Sequence, residues 1–390
     1  MKDQKISNYQ LTNYPLKLKG TKMKAQKITL LILLIFALLT TACAAATSAN
    51  EGPEAAGAPA KKIIFYNWAD YIDPEFYEIF KAETGIEVVE DNFASYEELL
   101  AKFQGGGAAG YALIVADTRT IDILNAESRL AKLDHANIPN LSNLYERFRT
   151  LSYDPGNTHC AAYQWGVTGL GYNVEAMEAP TSWAALFEPD PTAPYYGRTT
   201  MLDDVREAFG AALIYLGYDV NTTDEAQLRE AQQLLIKAKA GLAGYDSTTF
   251  HTLLGSQENL LAHGWNGSIL RIVDQPDAAK LGFAVPQEGS ITWIDHLCIP
   301  ATAPADQKLA AEMFINFLLR PDIGAKLSQR NFYASPNQAA EAHLPEAFLN
   351  NPIIYPPAEV TDKLQYMLAL GETEATYLRL WNEVKAAPVE

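Results

Sequence analysis

The sequence contains few cysteines, and those present do not form a metal-binding pattern. Three Cys occur among 390 residues, and only Cys160 and Cys298 lie after residue 43. There is neither a CxxC motif nor a Cys/His spacing typical of zinc sites, so we predict no metal site and no cofactor. Outside the cytoplasm Cys160 and Cys298 could pair in a disulfide, but two buried free thiols are an equal alternative.

Basic residues are also scarce. The chain has 30 Lys and Arg against 47 Asp and Glu, which gives a formal net charge of -17 at pH 7. Seven Lys and one Asp precede Cys43, so loss of that segment would lower the net charge by six, from -17 to -23. This argues against nucleic acid as a partner, because its binding depends on basic contacts to phosphates. The negative charge favours cationic partners, although a negative net charge more often reflects a solvated acidic surface.

Long apolar runs are limited to one stretch, residues 28–39. The stretch is too short for a comfortable membrane span and has the length of a signal-peptide core. Lys24 and Lys27 supply the preceding positive charge, and Met23 is the predicted start of translation. We therefore predict that the chain leaves the cytoplasm, with residues 1–43 as its leader.

The end of this leader resembles a bacterial lipoprotein box. Residues 38–43 read LLTTAC, with Thr40 where Leu is more usual, and Cys43 is the predicted lipidation site. Ordinary cleavage among residues 42–46 is the alternative. Residues 44–61 are rich in Ala, Gly, Pro and Glu and are predicted to form a flexible tether. Lipidation would hold a periplasmic or otherwise extracytoplasmic protein at the outer face of a membrane without spanning it.

The folded region opens with strands and helices in alternation. Strands are predicted at 63–66, 86–89 and 111–115, with helices at 74–82, 95–103 and 120–130. Asp73 and Gly85 are typical caps of the first helix, and Ser95 with Glu98 forms a capping box for the second. This β-α-β-α-β-α order predicts an α/β fold with a parallel sheet and helices on its faces.

An acid flanked by aromatic residues follows the first strand. Trp68, Asp70 and Tyr71 lie at the carboxyl end of that strand, where ligands bind in α/β folds. Aromatic rings around a carboxylate suit an organic cation, although rings packed in the core are the alternative. Trp293 and Asp295 repeat the pairing, because side chains two residues apart share one side of a strand. The repetition favours the ligand-binding interpretation.

Two further pairs of charged residues are candidates for the same site. Asp204 and Glu207 lie on one face at the start of a predicted helix, and ordinary capping by acids is the alternative. Asp117 and Arg119 follow the third strand. Asp117 could be an N-cap and Arg119 a surface charge, or both could belong to the same cleft. Residues 161–173 and 332–337 are predicted to cross between two lobes, and the tail, 361–389, is predicted to be helical.

Several segments resemble the bacterial spermidine/putrescine-binding proteins of ABC importers. The resemblance covers residues 62–388. The matching segments are FYNWADYI (65–72), FKAETGIEVV (80–89), LDDVREAF (202–209), LGYDVNTTD (216–224), GWNGS (264–268), ITWIDHLCIPA (291–301), INFLLRPD (315–322) and YASPNQAA (333–340).

The resemblance implies a two-lobed periplasmic-binding-protein fold, type II-like, in which each lobe is a mixed sheet flanked by helices. The expected lobes are residues 62–168 with 294–339, and 169–293 with 340–390. A polyamine would occupy the cleft and pass to a membrane permease, with no reaction catalysed and with the protein expected as a monomer. The implied ligand-binding residues are Trp68, Asp70, Tyr71, Asp204, Glu207, Ser247, Trp265, Trp293, Asp295, Tyr333 and Gln365.

Two positions depart from the family pattern, which has a small hydroxyl residue and a Tyr there. Asp117 could add another anion for a longer or more charged amine, and Arg119 would repel a cation unless it pairs with Asp117 or points away. Alternative functions are a binding protein for another organic cation or an amino acid, with Arg119 as the clamp for a carboxylate, and a secreted hydrolase that uses a carboxylate pair.

Overall fold

The computed structural model of the protein describes residues 57–273 and 279–389. The predicted leader, including Met23 and Cys43, and the tether up to residue 56 lie outside the described residues. The strands are β1 (Lys62–Trp68), β2 (Glu87–Phe93), β3 (Leu113–Ala116), β4 (Cys160–Asn173), β5 (Thr199–Met201), β6 (Leu242–Tyr245), β7 (Leu261–Trp265), β8 (Leu281–Ala284), β9 (Ser290–Cys298) and β10 (Leu364–Tyr366).

Helices flank these strands. They are α1 (Pro74–Thr84), α2 (Tyr96–Gln104), α3 (Thr118–Ala126), α4 (Glu146–Arg149), α5 (Ala184–Phe187), α6 (Val205–Tyr215), α7 (Glu225–Ala238), α8 (Phe250–Gly255), α9 (Asn266–Val273), α10 (Ala305–Leu318), α11 (Pro321–Asn331), α12 (Glu346–Leu349), α13 (Ala358–Thr361) and α14 (Thr373–Ala386). Among the described residues, none of these helices is both long and apolar enough to cross a membrane.

The β-α-β-α-β-α opening confirms the sequence prediction. Asp73 caps α1 by accepting from the Glu75 N–H, and Gly85 ends the helix with a φ of 75°, where a residue without Cβ carries no steric penalty. Ser95 caps α2 by accepting from the Glu98 N–H. β1 pairs in parallel with β2 and β3, as the helical crossovers require.

The strands follow the order β2-β1-β3-β9-β4-β7-β5-β6, with β10 paired to β9 and β8 paired to β4. β4 contributes to both halves of this arrangement. Its first part, Cys160 to Val167, pairs with β9, whereas Thr168 to Tyr172 pairs with β7. The predicted crossing at 161–173 is therefore confirmed.

Two hydrophobic cores lie on either side of this crossing. The first contains Phe65, Leu113 and Phe314, and the second contains Phe209, Leu261 and Trp381. β9 also connects them, because Ile291 belongs to the second core and Ile294 to the first. The fold therefore has two α/β lobes joined by long strands.

The prediction of a second crossing at 332–337 is wrong. These residues form isolated bridges, Trp165 with Ala334 and Leu144 with Asn337, and the second crossing strand is β9. The predicted all-helical tail is also wrong, because β10 pairs in parallel with Ser290 to Thr292 of β9. The exact lobe boundaries stay a prediction. Ile354 packs in the first core, although residues from 340 onward were predicted to belong to the second lobe.

Cys160 and Cys298 form a disulfide between β4 and β9, at facing positions of the antiparallel pair. The two cysteines are fully buried and 138 residues apart in the chain. Of the two alternatives left open by the sequence, the structure contains the disulfide. Such bonds persist mainly in oxidising compartments, which agrees with the predicted export.

Candidate ligand-binding site

A cavity of about 480 Å³ lies between the two lobes. Its lining includes the carboxyl ends of β1 and β3, the start of α6, and β9. It brings together eleven of the twelve residues predicted for the site. They are Trp68, Asp70, Tyr71, Asp117, Asp204, Glu207, Ser247, Trp265, Trp293, Asp295 and Tyr333.

Asp295 projects from β9 into this cavity and is almost completely buried. Its Oδ2 accepts a 2.7 Å hydrogen bond from the Tyr71 hydroxyl, and its Oδ1 accepts a 2.5 Å bond from the Tyr96 hydroxyl. Burial raises the pKa of the Asp295 carboxyl to about 7, although both phenol hydrogen bonds act in the opposite direction. A cation beside Asp295 would stabilise its ionised form.

Glu207 faces the cavity from the first turn of α6. Its Oε1 accepts from the Thr168 hydroxyl at 3.1 Å and from the Trp265 indole at 3.0 Å. Its Oε2 is buried and has no hydrogen-bond partner among the described residues. Burial, followed by the nearby charge of Asp204, raises the pKa of Glu207 to about 8. A buried oxygen without a partner can accept a hydrogen bond from a donor that enters the cavity.

Asp204 and Asp117 cap helices and line the cavity at the same time. Asp204 accepts from the Glu207 N–H at 3.0 Å and from the Arg206 N–H at 2.9 Å, and burial raises its pKa to about 6. Asp117 accepts from the Thr120 N–H at 2.8 Å, and burial raises its pKa as well. The capping and ligand-binding interpretations therefore do not exclude one another.

Aromatic rings from both lobes form the walls. The Trp68 and Trp265 ring centroids are 6.4 Å apart, and the Trp293 and Tyr333 centroids are 4.8 Å apart with nearly perpendicular planes. The Tyr333 hydroxyl shares a 3.0 Å hydrogen bond with Ser268. Flat apolar walls can cover methylene groups, and their faces also attract cations.

Gly166 leaves the space that Trp293 occupies. A Cβ at position 166 would lie 2.5 Å from the Trp293 ring and 2.7 Å from Oδ1 of Asn266. We expect Gly166→Ala to displace the Trp293 ring and destabilise the protein by about 1–3 kcal/mol, as overpacking of a core does. Thermal unfolding and ligand titration will measure both effects. An unchanged melting temperature with unchanged binding would show that the ring adapts without cost.

Asp70 lines the rim of the cavity rather than its interior. Its side chain is 63% exposed, and its two oxygens pair with Arg271 at 2.9 Å and with Arg330 at 2.7 Å. Partial burial would raise its pKa, but the Arg330 hydrogen bond and the charges of both arginines lower it. In this conformation the carboxylate that was predicted to meet an ammonium group is already ion-paired.

Gln365 is the predicted site residue that does not line the cavity. It lies in β10, and its Oε1 accepts a 3.0 Å hydrogen bond from the Val220 N–H. The side chain therefore fixes β10 against the second lobe. Met367, two residues later, lines the cavity instead. Ser247 does line it, and its hydroxyl oxygen is buried without a hydrogen-bond partner among the described residues.

Arg119 is paired, but with Glu97 and Glu374 and not with Asp117, the partner that the sequence suggested. Its Nη2 donates to Glu97 at 2.8 Å, and its Nη1 donates to Glu374 at 3.3 Å. The arginine lines the cavity but its side chain is only 5% exposed. The group predicted as a clamp for an amino-acid carboxylate is thus engaged by two glutamates.

Sequence reasoning missed several lining residues. Tyr96 was overlooked although it lies just beyond the carboxyl end of β2, and Trp68 had been identified because it lies at the carboxyl end of β1. Phe250 and His251 begin α8, which follows β6, a strand that the sequence analysis did not predict. Arg271 had no such signal, because its contact with Asp70 joins residues 201 positions apart.

Within residues 57–273 and 279–389, no group of three or more His, Cys, Asp or Glu side chains is arranged to hold a metal ion. The chemistry of the cavity is that of several buried carboxylates between aromatic rings. Such an arrangement can bind a small organic cation, because each carboxylate accepts charge-assisted hydrogen bonds.

A ligand-sized cleft between two α/β lobes, joined by crossing strands, defines the class of bilobal solute-binding proteins. Residues 75–356 match the family model described as bacterial extracellular solute-binding protein. The chain belongs to this family.

Individual relatives cover most of the chain. The spermidine/putrescine-binding periplasmic protein of Salmonella typhimurium is 33% identical over 326 residues, which are 83% of this chain and 91% of that protein. The putrescine-binding periplasmic protein of Escherichia coli is 32% identical over 84% of this chain and 92% of its own length. Both relatives are named as periplasmic binding proteins.

A solved structure agrees with the fold. The putative spermidine/putrescine ABC transporter protein from Listeria monocytogenes superposes with a TM-score of 0.78 at 30% identity, covering 84% of this chain and 99% of that one. The predicted two-lobed periplasmic-binding-protein fold is therefore confirmed.

Proposed function

We propose that the protein captures a polyamine in the cavity between its lobes and delivers it to the permease of an ABC importer. The observation that carries the proposal is the buried Oε2 of Glu207, which has no hydrogen-bond partner among the described residues and lies in a cavity that Asp295, Asp204 and Asp117 also line. The names of the relatives support the same ligand class and the same type of transporter.

The physical fit is with a linear amine. Each ammonium group that leaves water needs hydrogen-bond acceptors, and a bond to a charged partner contributes about 1.5–3 kcal/mol. The methylene groups between ammonium groups need apolar contact, which Trp265 and Trp293 offer. An aromatic face beside an ammonium group adds about 0.5–2 kcal/mol. A carboxylated amino acid would bring an anion into a cavity that six acids line, and its three arginines, Arg119, Arg206 and Arg271, are each paired with a carboxylate.

The proposal includes the location of the protein and its mode of action. The matched family is extracellular, and the predicted leader supports export, with Cys43 as the proposed site of lipidation. Capture followed by release to a permease needs no bond to be made or broken. Lobe closure around the amine is sufficient to remove it from water.

Isothermal titration with putrescine, spermidine and spermine tests the proposal. At least one of the three is expected to bind with a dissociation constant of about 1 µM or lower, which corresponds to about 8 kcal/mol. γ-Aminobutyrate, which carries a carboxylate, is the control ligand and is expected not to bind. If none of the three amines binds, the proposal is wrong.

Asp295→Asn is expected to weaken binding by about tenfold or more, because the loss of one charge-assisted contact costs at least about 1.4 kcal/mol. The matched control is Asp154→Asn, which alters another buried aspartate of the first lobe that lies away from the cavity. Equal affinity in wild type and Asp295→Asn would remove Asp295 from the site.

A further inference from the structure

Asp70, at the rim of the cavity, is held by two arginines through both its backbone and its side chain. It follows β1 and has a left-handed φ of 56°, a conformation that Asp adopts more readily than most residues. The Nη1 of Arg271 donates to the Asp70 carbonyl oxygen at 2.9 Å and pairs with Oδ2 at 2.9 Å. Arg330 donates to the same carbonyl oxygen at 3.1 Å and to Oδ1 at 2.7 Å. The two arginines therefore share one aspartate.

These two arginines belong to different lobes. Arg271 is on α9, which directly follows β7 and packs in a cluster with α8 and β7. β7 contributes Leu261 to the second core, so Arg271 reaches Asp70 from the second lobe. Arg330 is on α11, whose Leu327 packs in the first core, as β1 does. The pair of Asp70 with Arg271 therefore crosses the cleft, whereas its pair with Arg330 lies within the first lobe.

Arg271 lines the cavity, and Arg330 is not among the described residues that do. A positive charge there disfavours a cationic ligand, because like charges repel most where water is excluded. An ion pair across the cleft has the opposite effect, because the lobes cannot separate at that point without breaking it. Arg119 of α3 and Glu374 of α14 form a second pair between the lobes at 3.3 Å, so the Arg271 pair holds the cleft together with another contact. Arg271 thus has two effects of opposite sign on amine binding.

We propose that Arg271 is a positioning residue that clasps the two lobes through Asp70 and thereby prolongs the time for which the amine stays bound. The part of this inference that concerns the amine rests on the proposed function. The clasp consists of protein groups alone, so it favours the closed cleft both with and without an amine. Asp70 is then the anchor of the clasp and not the partner of an ammonium group. Because the clasp must break before release, its effect falls on the dissociation rate.

Stopped-flow fluorescence of the cavity tryptophans tests the proposal, with the tightest-binding of putrescine, spermidine and spermine as the ligand. Arg271→Gln is expected to raise the dissociation rate about fivefold, or about 1 kcal/mol, the upper end for a partly exposed ion pair. Arg330→Gln is the matched control, since it breaks an equally short pair with the same aspartate inside one lobe. Its dissociation rate is expected to stay within about twofold of wild type. Equal acceleration in both variants would show that the fixed conformation of Asp70, and not the contact between lobes, controls release, and would overturn the inference.

The sign of the effect separates a clasp from simple repulsion. If Arg271 acted only as a like charge, Arg271→Gln would bind the amine more tightly and release it more slowly, and that result would overturn the inference. Small-angle X-ray scattering of the ligand-free proteins tests the clasp without an amine. Arg271→Gln is expected to have a larger radius of gyration than wild type and Arg330→Gln, and equal radii would contradict the inference. Failure of wild type to bind any amine would contradict the proposed function instead, and the scattering comparison would then decide on the clasp.

Discussion

Replacing Glu207 with Gln is expected to weaken polyamine binding by about 100-fold or more, since removal of one partner from a buried charge pair costs about 2–5 kcal/mol. The glutamine retains an acceptor for Thr168 and Trp265, so the wall of the cavity stays in place. What it removes is the negative charge at the buried Oε2, which has no hydrogen-bond partner in the part of the chain that the structure describes. Isothermal titration with the tightest-binding amine measures the effect.

Glu312→Gln is the control for this prediction. Glu312 is as buried as Glu207, but it lies on α10 away from the cavity and is held by Asn137 and Lys308. We expect this variant to lose stability while its affinity for the amine stays within about twofold of wild type. If Glu207→Gln and Glu312→Gln weaken binding equally, the effect of Glu207 comes from folding and not from contact with the ligand.

The residues at strand ends were the part of the site that sequence could predict. The rule that ligands lie beyond the carboxyl ends of strands identified Trp68 and Asp117, and period-two alternation placed Trp293 beside Asp295. These rules need only the local pattern of the chain. They succeed because a parallel sheet brings the ends of sequentially distant strands to one edge.

The rest depends on long-range contacts that no local pattern specifies. The pairing of Arg119 with Glu374 joins residues 255 positions apart, and Asp70 meets Arg330 at a separation of 260. The second contact engages the Asp70 carboxylate that was predicted to meet an ammonium group, and the first gives Arg119 a partner other than Asp117.

Gln365 was predicted from the resemblance alone, and its amide oxygen is engaged by the Val220 N–H, 145 positions away. The helical prediction for the tail failed because β10 pairs with β9, so tertiary pairing overrode local propensity there.

Affinity for the amine is expected to rise by about 100-fold or more between about pH 6 and pH 8, because protons compete with the ligand for the same carboxylates. Burial raises the pKa of Glu207 to about 8 and that of Asp295 to about 7, so both are largely protonated at the lower pH. Alkyl ammonium groups stay charged throughout, with ordinary pKa values of about 10. Titrations in buffers of different ionisation enthalpy will count the protons released on binding.

The ligand-free protein is expected to become less stable as the pH rises, whereas its affinity for the amine increases. Glu207 and Asp295 have higher pKa values in the folded protein than in the unfolded chain. At a pH between the unfolded and the folded pKa of each group, the folded state therefore binds more protons than the unfolded chain. Their contribution to stability is present in full below about pH 4 and is lost as pH rises through about 7 to 8. The melting temperature should therefore fall by about 5 °C or more from about pH 5.5 to pH 8.5.

A bound polyamine should abolish this fall, because its ammonium groups stabilise the ionised carboxylates that are costly to bury alone. Glu207→Gln supplies the control, since a side chain that cannot titrate should flatten both the affinity profile and the melting profile. An affinity independent of pH in wild type would mean that the carboxylates are already ionised without ligand. That outcome would require water or another cation to compensate Glu207 and Asp295 in the free cavity, and the amine would then bind by exchange rather than by release of protons.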